Sequence, residues 1–192
     1  YDKYCGYIKK KKFLKKTKPT HKVKVLKTKI YKSNSFLPFS SEIEILKKKK
    51  DYVMFKKNNW IRKKDIVLIS KKERNFIKIF KSYLNCKYKW GGKTFNGVDC
   101  SALLQIFYKF NNKFFPRDTI DQIKFKKGAK NKKKYIQGDI IYWKGHVAIC
   151  INSKKLIHAY GPEKKVIIMP IIETIKRIEK TANLRIKKIC RI

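Results

Sequence analysis

Apolar and polar residues alternate along the first third of the chain, with the period of two that is typical of half-buried β-strands. The alternation is clearest at residues 42–46 and 51–55, and the turn-forming pairs Leu37-Pro38 and Asn58-Asn59 separate such segments. Short strands with this spacing predict a small antiparallel β-barrel over residues 20–70.

A fragment of the same pattern precedes this region. Tyr7-Ile8 and Phe13 repeat the spacing of Trp60-Ile61 and Ile66. The repeat predicts that residues 1–14 are the remnant of a first small β-barrel. Because the chain does not begin with methionine, we expect an incomplete N-terminus.

From residue 73 the apolar period becomes helical, and a second helical segment begins at Cys100. The apolar stripes of the two predicted helices are Phe76, Ile77, Phe80, Tyr83 and Leu84, then Leu103, Leu104, Ile106, Phe107 and Phe110. Strand patterns follow the turn at Gln137-Gly138, at residues 139–143, 146–151, 155–160, 165–169 and 184–189. Helices followed by a sheet predict an α+β domain over residues 73–192.

The net charge of +39 comes almost entirely from lysine, because only six of the 52 basic residues are arginine. Proteins that read nucleic acids favour arginine for bidentate contacts. The lysines are also spread over the whole chain, as a biased genome composition would spread them. We therefore predict a solvated lysine surface rather than a nucleic-acid interface, with attraction to an anionic polymer such as cell-wall material or nucleic acid as the alternative.

The five cysteines are odd in number and form no Cys-x-x-Cys pair, so neither a disulfide framework nor a structural zinc site is expected. No cofactor or metal is predicted. The apolar runs are much shorter than the ~18 residues of a membrane helix, so no membrane span is predicted.

Cys100 lies where a glycine-rich loop turns into a helix. The free N–H groups and the dipole of a helix N-terminus favour a thiolate, and they can also stabilise an oxyanion. The alternative is that Cys100 is only a small buried apolar residue. Asp99, the residue before it, is expected to cap the helix.

Two of the three histidines fall on consecutive predicted strands. A hairpin centred on Asn152 would set His146 and His158 directly opposite each other, about 5 Å apart. A two-residue turn at Ser153-Lys154 would instead put them on opposite faces of the sheet. A thiol with a base that is oriented by a third group predicts a cysteine hydrolase.

Six blocks of sequence resemble, in order and spacing, those of the NlpC-type cell-wall cysteine peptidases. They are Tyr88-Lys89-Trp90-Gly91-Gly92, Gly97-Val98-Asp99-Cys100-Ser101, Pro116-Arg117-Asp118-Thr119 with Gln122, Gly138-Asp139-Ile140-Ile141-Tyr142-Trp143, Gly145-His146-Val147-Ala148-Ile149 and Leu156-Ile157-His158-Ala159. The residues before them are similar to the bacterial Src-homology-3-like barrels that often precede such domains.

The resemblance implies a circularly permuted papain-like fold over residues 73–192, preceded by a Src-homology-3-like barrel. It implies a γ-D-glutamyl-L-diamino-acid endopeptidase that acts on peptidoglycan stem peptides with a free N-terminal L-alanine, through a thioester. Cys100 would be the nucleophile and His146 the general base, and His158 would hold His146 in position.

The resemblance also implies substrate contacts. Tyr88 would line the site near the oxyanion, and Asp99, Ser101 and Thr119 would contact the amino end of the substrate. Tyr4, in a partial match to a motif of the preceding barrel, would be a further contact. Arg117 and Asp118 are interpreted as a structural pair that shapes their loop.

Two other functions remain as alternatives. One is a lysine-rich binding module for an anionic polymer with a vestigial site, and the other is a thiol amidase or acyltransferase that acts on another amide. The predicted partners are peptides released from peptidoglycan. The predicted compartment is therefore the cytoplasm, with the periplasm or secretion as the alternative.

Overall fold

The computed structural model of the chain describes residues 7, 9–10 and 17–192. Tyr4 and most of the predicted barrel remnant at residues 1–14 lie outside the described residues. The described chain forms two compact units. One holds residues 75–108 and 114–192, and the other holds the described residues up to 74 together with Lys109–Lys113.

The smaller unit consists of short antiparallel strands around one apolar cluster. The strands are β1 (His21–Val23), β2 (Lys27–Lys29), β3 (Phe36–Pro38), β4 (Glu42–Ile43), β5 (Lys47–Lys49), β6 (Tyr52–Lys56), β7 (Asn59–Arg62) and β8 (Ile66–Leu68). They pair in the orders β4-β1-β8, β2-β3 and β5-β6-β7. The likeness of this unit to a Src-homology-3-like barrel stays a prediction.

The larger unit contains the predicted helices and a five-stranded antiparallel sheet. Its elements are α1 (Phe76–Lys81), β9 (Lys93–Thr94), β10 (Gly97–Val98), α2 (Cys100–Phe110, of which the last two residues are counted with the smaller unit), α3 (Thr119–Phe125), β11 (Asp139–Trp143), β12 (His146–Cys150), β13 (Lys155–Tyr160), β14 (Lys165–Pro170), α4 (Ile171–Ala182) and β15 (Lys188–Arg191). The order in the sheet is β14-β13-β12-β11-β15. The mixed α and β class is confirmed, whereas a circular permutation stays a prediction.

Two helices, α3 and α4, were not predicted from the sequence. Strand patterns dominate the sequence after residue 137 and no helix was predicted there, but α4 crosses from the edge strand β14 to the opposite edge strand β15. Its buried residues Ile171, Thr174 and Ile178 have helical spacing, although the β-branched side chains favour strands locally. The last strand begins at Lys188, later than predicted, after α4 ends at Asn183 in the left-handed conformation.

Helix α2 is buried on nearly all of its faces. Most of its predicted apolar stripe is buried, and so are Ala102, Gln105 and Tyr108 on its other sides. The Gln105 side-chain amide donates to the Phe115 carbonyl at 3.1 Å, which satisfies its buried polar group. A helix packed all round holds its first residue, Cys100, in one place.

The sheet packs against α4 through one of its two faces. An apolar cluster joins Ile141, Trp143, Ala148, Cys150, Leu156, Tyr160 and Ile189 of the sheet to Ile171 and Ile178 of α4. The side chains of His146 and His158 point to this face, because they share the alternation of these residues. No helix of the described chain is long and apolar enough to span a membrane.

Candidate active site

Cys100 is the first residue of α2, and its side chain is almost completely buried. Its sulfur lies 4.0 Å from the carbonyl oxygen of Gly145. The backbone N–H of Val147 and the N–H groups of Ser101 and Cys100 itself also interact with the sulfur. The sulfur therefore contacts the chain on both sides of His146.

The sulfur reaches the open edge of β12. In an extended strand, the carbonyl of Gly145 and the N–H of Val147 leave the backbone on the same side. β12 pairs with β13 only at Ile149 and Cys150, so this edge is unpaired near His146. No hydrogen bond joins the sulfur to either imidazole of the site in the part of the chain that the structure describes.

The two histidines form a direct pair, with His146 Nε2 at 2.9 Å from His158 Nδ1. β12 and β13 pair Ile149 with Ile157, which centres their hairpin on Ser153, one residue beyond the expected centre. The predicted direct opposition of the histidines is therefore wrong, and so is the two-residue turn. They are diagonal neighbours on one face, close enough for their rings to meet.

His158 is enclosed on its remaining sides. Its Nε2 lies 3.3 Å from the sulfur of Met169, and its ring stacks on Tyr160 at a centroid distance of 4.5 Å. Burial, followed by the charges of His146 and Arg177, lowers the pKa of His158 well below its usual value. The ring is therefore neutral at physiological pH.

Burial also controls the other two groups. It raises the pKa of the Cys100 thiol to about 11, although the N–H groups of Val147, Ser101 and Cys100 act in the opposite direction. It lowers the pKa of His146 to about 4. The expectation that the helix N-terminus favours a thiolate is outweighed here by desolvation, and the resting site holds a neutral thiol and neutral imidazoles.

Asp99 is the cap of α2 and the centre of a buried hydrogen-bond network. It accepts from the N–H of Ala102 at 2.8 Å and of Gly91 at 2.9 Å. Arg117 donates to both carboxylate oxygens, at 3.0 and 2.5 Å, and the Ser101 hydroxyl donates to one of them at 3.1 Å. The cap prediction therefore agrees with the geometry.

The interpretation of Arg117 and Asp118 as a structural pair is wrong. The carboxylate that Arg117 binds is that of Asp99, and both side chains are buried. Asp118 acts on the pKa of Arg117 only through its charge. The carboxylate of Asp118 makes no hydrogen bond with any described residue.

A cavity of about 410 Å³ opens above Cys100. Three predicted substrate contacts, Asp99, Ser101 and Thr119, line it. Tyr88 lies outside this lining but is near enough for the charges of Cys100 and Asp99 to act on it. With burial as the largest cause, they raise the pKa of Tyr88 to about 12, so its hydroxyl keeps its proton.

Other residues of the cavity wall were not predicted as contacts. Trp90 and Ile120 are 81% and 64% exposed at the cavity, and Lys93 and Asp118 add one charge of each sign. Trp90, Asp118 and Ile120 lie in or next to the sequence blocks that carried the resemblance. Their position there was the signal available from the sequence.

A buried thiol at the start of a helix, next to a strand whose histidine is hydrogen-bonded to a second one, is the side-chain set of a thiol hydrolase. The sequence profile of the NlpC/P60 family matches residues 85–183, which include Cys100, His146 and His158. The chain belongs to the NlpC/P60 family. Members of this family are cysteine peptidases that hydrolyse peptidoglycan, and the predicted enzyme class is confirmed.

Individual relatives agree with this assignment. The chain is 29% identical to the γ-D-glutamyl-L-lysine dipeptidyl-peptidase of Bacillus subtilis (strain 168), over 95% of this chain and 69% of that protein. It is 33% identical to the enzyme of the same name from Bacillus cereus, over 55% of this chain but only 33% of that protein.

A solved structure has the same fold. An NlpC/P60 family protein from Bacillus cereus superimposes with a TM-score of 0.64 at 24% identity, over 80% of this chain and 58% of that one. The chain thus spans little more than half of this structural relative.

The Asp99–Arg117 pair generates a stability prediction. Arg117→Met leaves a buried carboxylate without its cation, so we expect a loss of about 3–5 kcal/mol in the free energy of unfolding, measured by urea denaturation. Arg185→Met is the control, because Arg185 is 86% exposed in its pair with Glu179 and should change stability by under about 1 kcal/mol. Equal effects of the two substitutions would contradict the role given to the buried pair.

The raised pKa of Cys100 predicts how its alkylation depends on pH. Only the thiolate attacks iodoacetamide and displaces its iodide, so the alkylation rate at Cys100, followed by peptide mass spectrometry, should rise about tenfold per pH unit between pH 6 and 9. His146→Ala should leave this profile unchanged, since no imidazolium holds the thiolate. A plateau at neutral pH that disappears in His146→Ala would show a preformed ion pair instead.

Proposed function

We propose that this chain hydrolyses the bond between γ-D-glutamate and the diamino acid of peptidoglycan stem peptides that carry a free N-terminal L-alanine. The observation that carries the proposal is the buried Cys100 sulfur, which lies in a cavity at a helix N-terminus and against the strand that bears His146, the hydrogen-bond partner of His158. The name of the relative from Bacillus subtilis supports the choice of bond.

Acylation follows from the neutral resting state. Nδ1 of His146 takes the thiol proton as the sulfur of Cys100 attacks the γ-carbonyl carbon, so charge develops only with the substrate in place. The N–H groups at the start of α2 and the protonated Tyr88 hydroxyl are the candidate donors to the oxyanion. His146 then gives its proton to the departing amine, and a thioester remains on Cys100.

Deacylation reverses these roles. A water molecule gives a proton to His146 and attacks the thioester carbonyl, the carbon–sulfur bond breaks, and the proton returns to the sulfur. His158 takes no part in proton transfer with the substrate. Its contact with Nε2 of His146 fixes the orientation of that ring through both steps.

The free amino group of the substrate needs a carboxylate in the cavity. Asp99 already accepts five hydrogen bonds, from Gly91, Ser101, Ala102 and twice from Arg117, and a carboxylate has about four lone-pair sites. Asp118 lines the same cavity and forms no hydrogen bond with the described residues. We therefore assign the ammonium contact to Asp118, and give Asp99 the task of shaping the site.

The other charged group supports the same substrate. A γ-linked glutamate keeps a free α-carboxylate at the opposite end of the residue from the reacting carbonyl, and Lys93 supplies a cation in the wall of the cavity. Arg117 is less suited, because Asp99 neutralises it. A substrate with a free amino end is a released fragment rather than intact wall, so we also propose the cytoplasm as the site of action.

The function is tested with a panel of L-Ala-γ-D-Glu-diamino-acid peptides, with free and acetylated N-termini, whose products are identified by mass. Cys100→Ala and His146→Ala should each lose about 10⁴-fold or more in kcat, and His158→Ala less, because it only orients. Cys86→Ala and His21→Ala, outside the cavity, are the matched controls.

Three results would overturn the proposal. Full activity of Cys100→Ala would show that Cys100 is not the nucleophile. Transfer of the acyl group to an amine instead of water, or cleavage of another amide alone, would establish the acyltransferase or amidase alternative. Absence of hydrolysis together with steeply salt-dependent binding to an anionic polymer would establish the binding-module alternative.

Asp118→Asn tests the ammonium contact. We expect KM for the free-amino peptide to rise about tenfold, because a charge-assisted hydrogen bond is lost, with no change in the small activity on the acetylated peptide. Asp121→Asn, one turn further along α3 and exposed, is the control. An unchanged KM in Asp118→Asn would contradict the assignment to Asp118 and favour Asp99 as the ammonium contact.

A further inference from the structure

Met169 lies on β14, which pairs with the strand of His158, β13. It contacts His158 on the side of the ring away from His146. β13 and β14 pair Leu156 with Met169 and His158 with Ile167, so Met169 and His158 are diagonal neighbours on one face. The thioether sulfur lies 3.3 Å from Nε2 of His158. This contact continues the one between His158 Nδ1 and His146 Nε2, which is 2.9 Å long.

The chemistry of these groups gives the chain of contacts a direction. A thioether can accept a hydrogen bond but has no proton to donate, so Nε2 of His158 must be the donor. In a neutral imidazole the other nitrogen then bears a lone pair, and Nδ1 of His158 accepts from Nε2–H of His146. His146, also neutral, is left with its lone pair on Nδ1.

We propose that Met169 is a positioning residue that fixes the tautomers of both histidines and thereby makes Nδ1 of His146 the basic nitrogen. Its effect on catalysis rests on the proposed function, whereas its effect on the tautomers does not. Nδ1 of His146 makes no hydrogen bond with the described residues, so it is available for the proton of the thiol.

The neutrality of the thioether suits this position. A carboxylate at the same place would favour an imidazolium at His158, against the cost of burying a charge among apolar side chains. The guanidinium of Arg177 lies 5.4 Å from the ring centre of Tyr160, which itself stacks on His158. An imidazolium at His158 would be repelled by the charge of Arg177. The Met169 thioether is a weak neutral acceptor, so it orients the His158 ring without stabilising the imidazolium.

The test compares Met169→Leu with the wild type. Leucine has a similar volume but no acceptor, so we expect little change in the fold. Long-range ¹H–¹⁵N spectra of the histidine-labelled protein without substrate should show Nε2–H tautomers for His146 and His158 in the wild type. In Met169→Leu both should become tautomer mixtures, and kcat should fall about tenfold with KM unchanged.

Rescue and control variants separate orientation from packing. Met169→Gln offers an amide oxygen at similar reach and should restore the wild-type tautomers and most of kcat. Met54→Leu, in β6 of the smaller unit, changes the other methionine of the chain and should alter neither.

Unchanged tautomers in Met169→Leu would overturn the inference, whether or not kcat falls. The spectra need no substrate, so the inference and the proposed function can fail separately. A wild type that cleaves no stem peptide would refute the proposed function, while the tautomer comparison would still decide the role of Met169.

Discussion

The buried ion pair between Asp99 and Arg117 is the constraint on which the rest of the site depends. Asp99 caps α2, so the position of its carboxylate sets where the helix begins and where Cys100 lies. Arg117 precedes α3, and the pair therefore ties the loop that carries Asp118, and with it Thr119 at the start of α3, to the same point. One buried contact thus places both Cys100 and a wall of the cavity, and leaves Asp99 little capacity to bind a ligand.

Burial also decides the resting charges of the site. A helix N-terminus stabilises a thiolate, but the sulfur of Cys100 is enclosed and desolvation has the larger effect. Desolvation acts in the same sense on His146 and His158, and favours their neutral forms. A site of neutral groups depends on hydrogen-bond direction rather than charge to select the basic nitrogen. For this reason the acceptor behind His158 has a place in the mechanism.

Local pattern was a good guide to some elements and a poor one to others. The strands at residues 139–143 and 155–160 were predicted with the bounds that the structure has, since their alternation and flanking turns are local features. α4 was missed because its isoleucines suit a strand as well as a helix, and only packing against the sheet selects the helix. Because α4 was missed, the last strand was predicted to begin at residue 184, whereas it begins at Lys188.

The motifs were enough to predict the family, the α+β class and Cys100, His146 and His158 as the candidate chemical groups. Their residue types and motif spacing are local, and they do not depend on how the elements pack. Four features came from the folded chain and not from its motifs: the diagonal register of the histidines, the partner of Arg117, the contact of Met169 and the raised pKa of the Cys100 thiol. Each of these depends on one residue of strand register or on the exclusion of water, which arise from contacts between segments far apart in the chain.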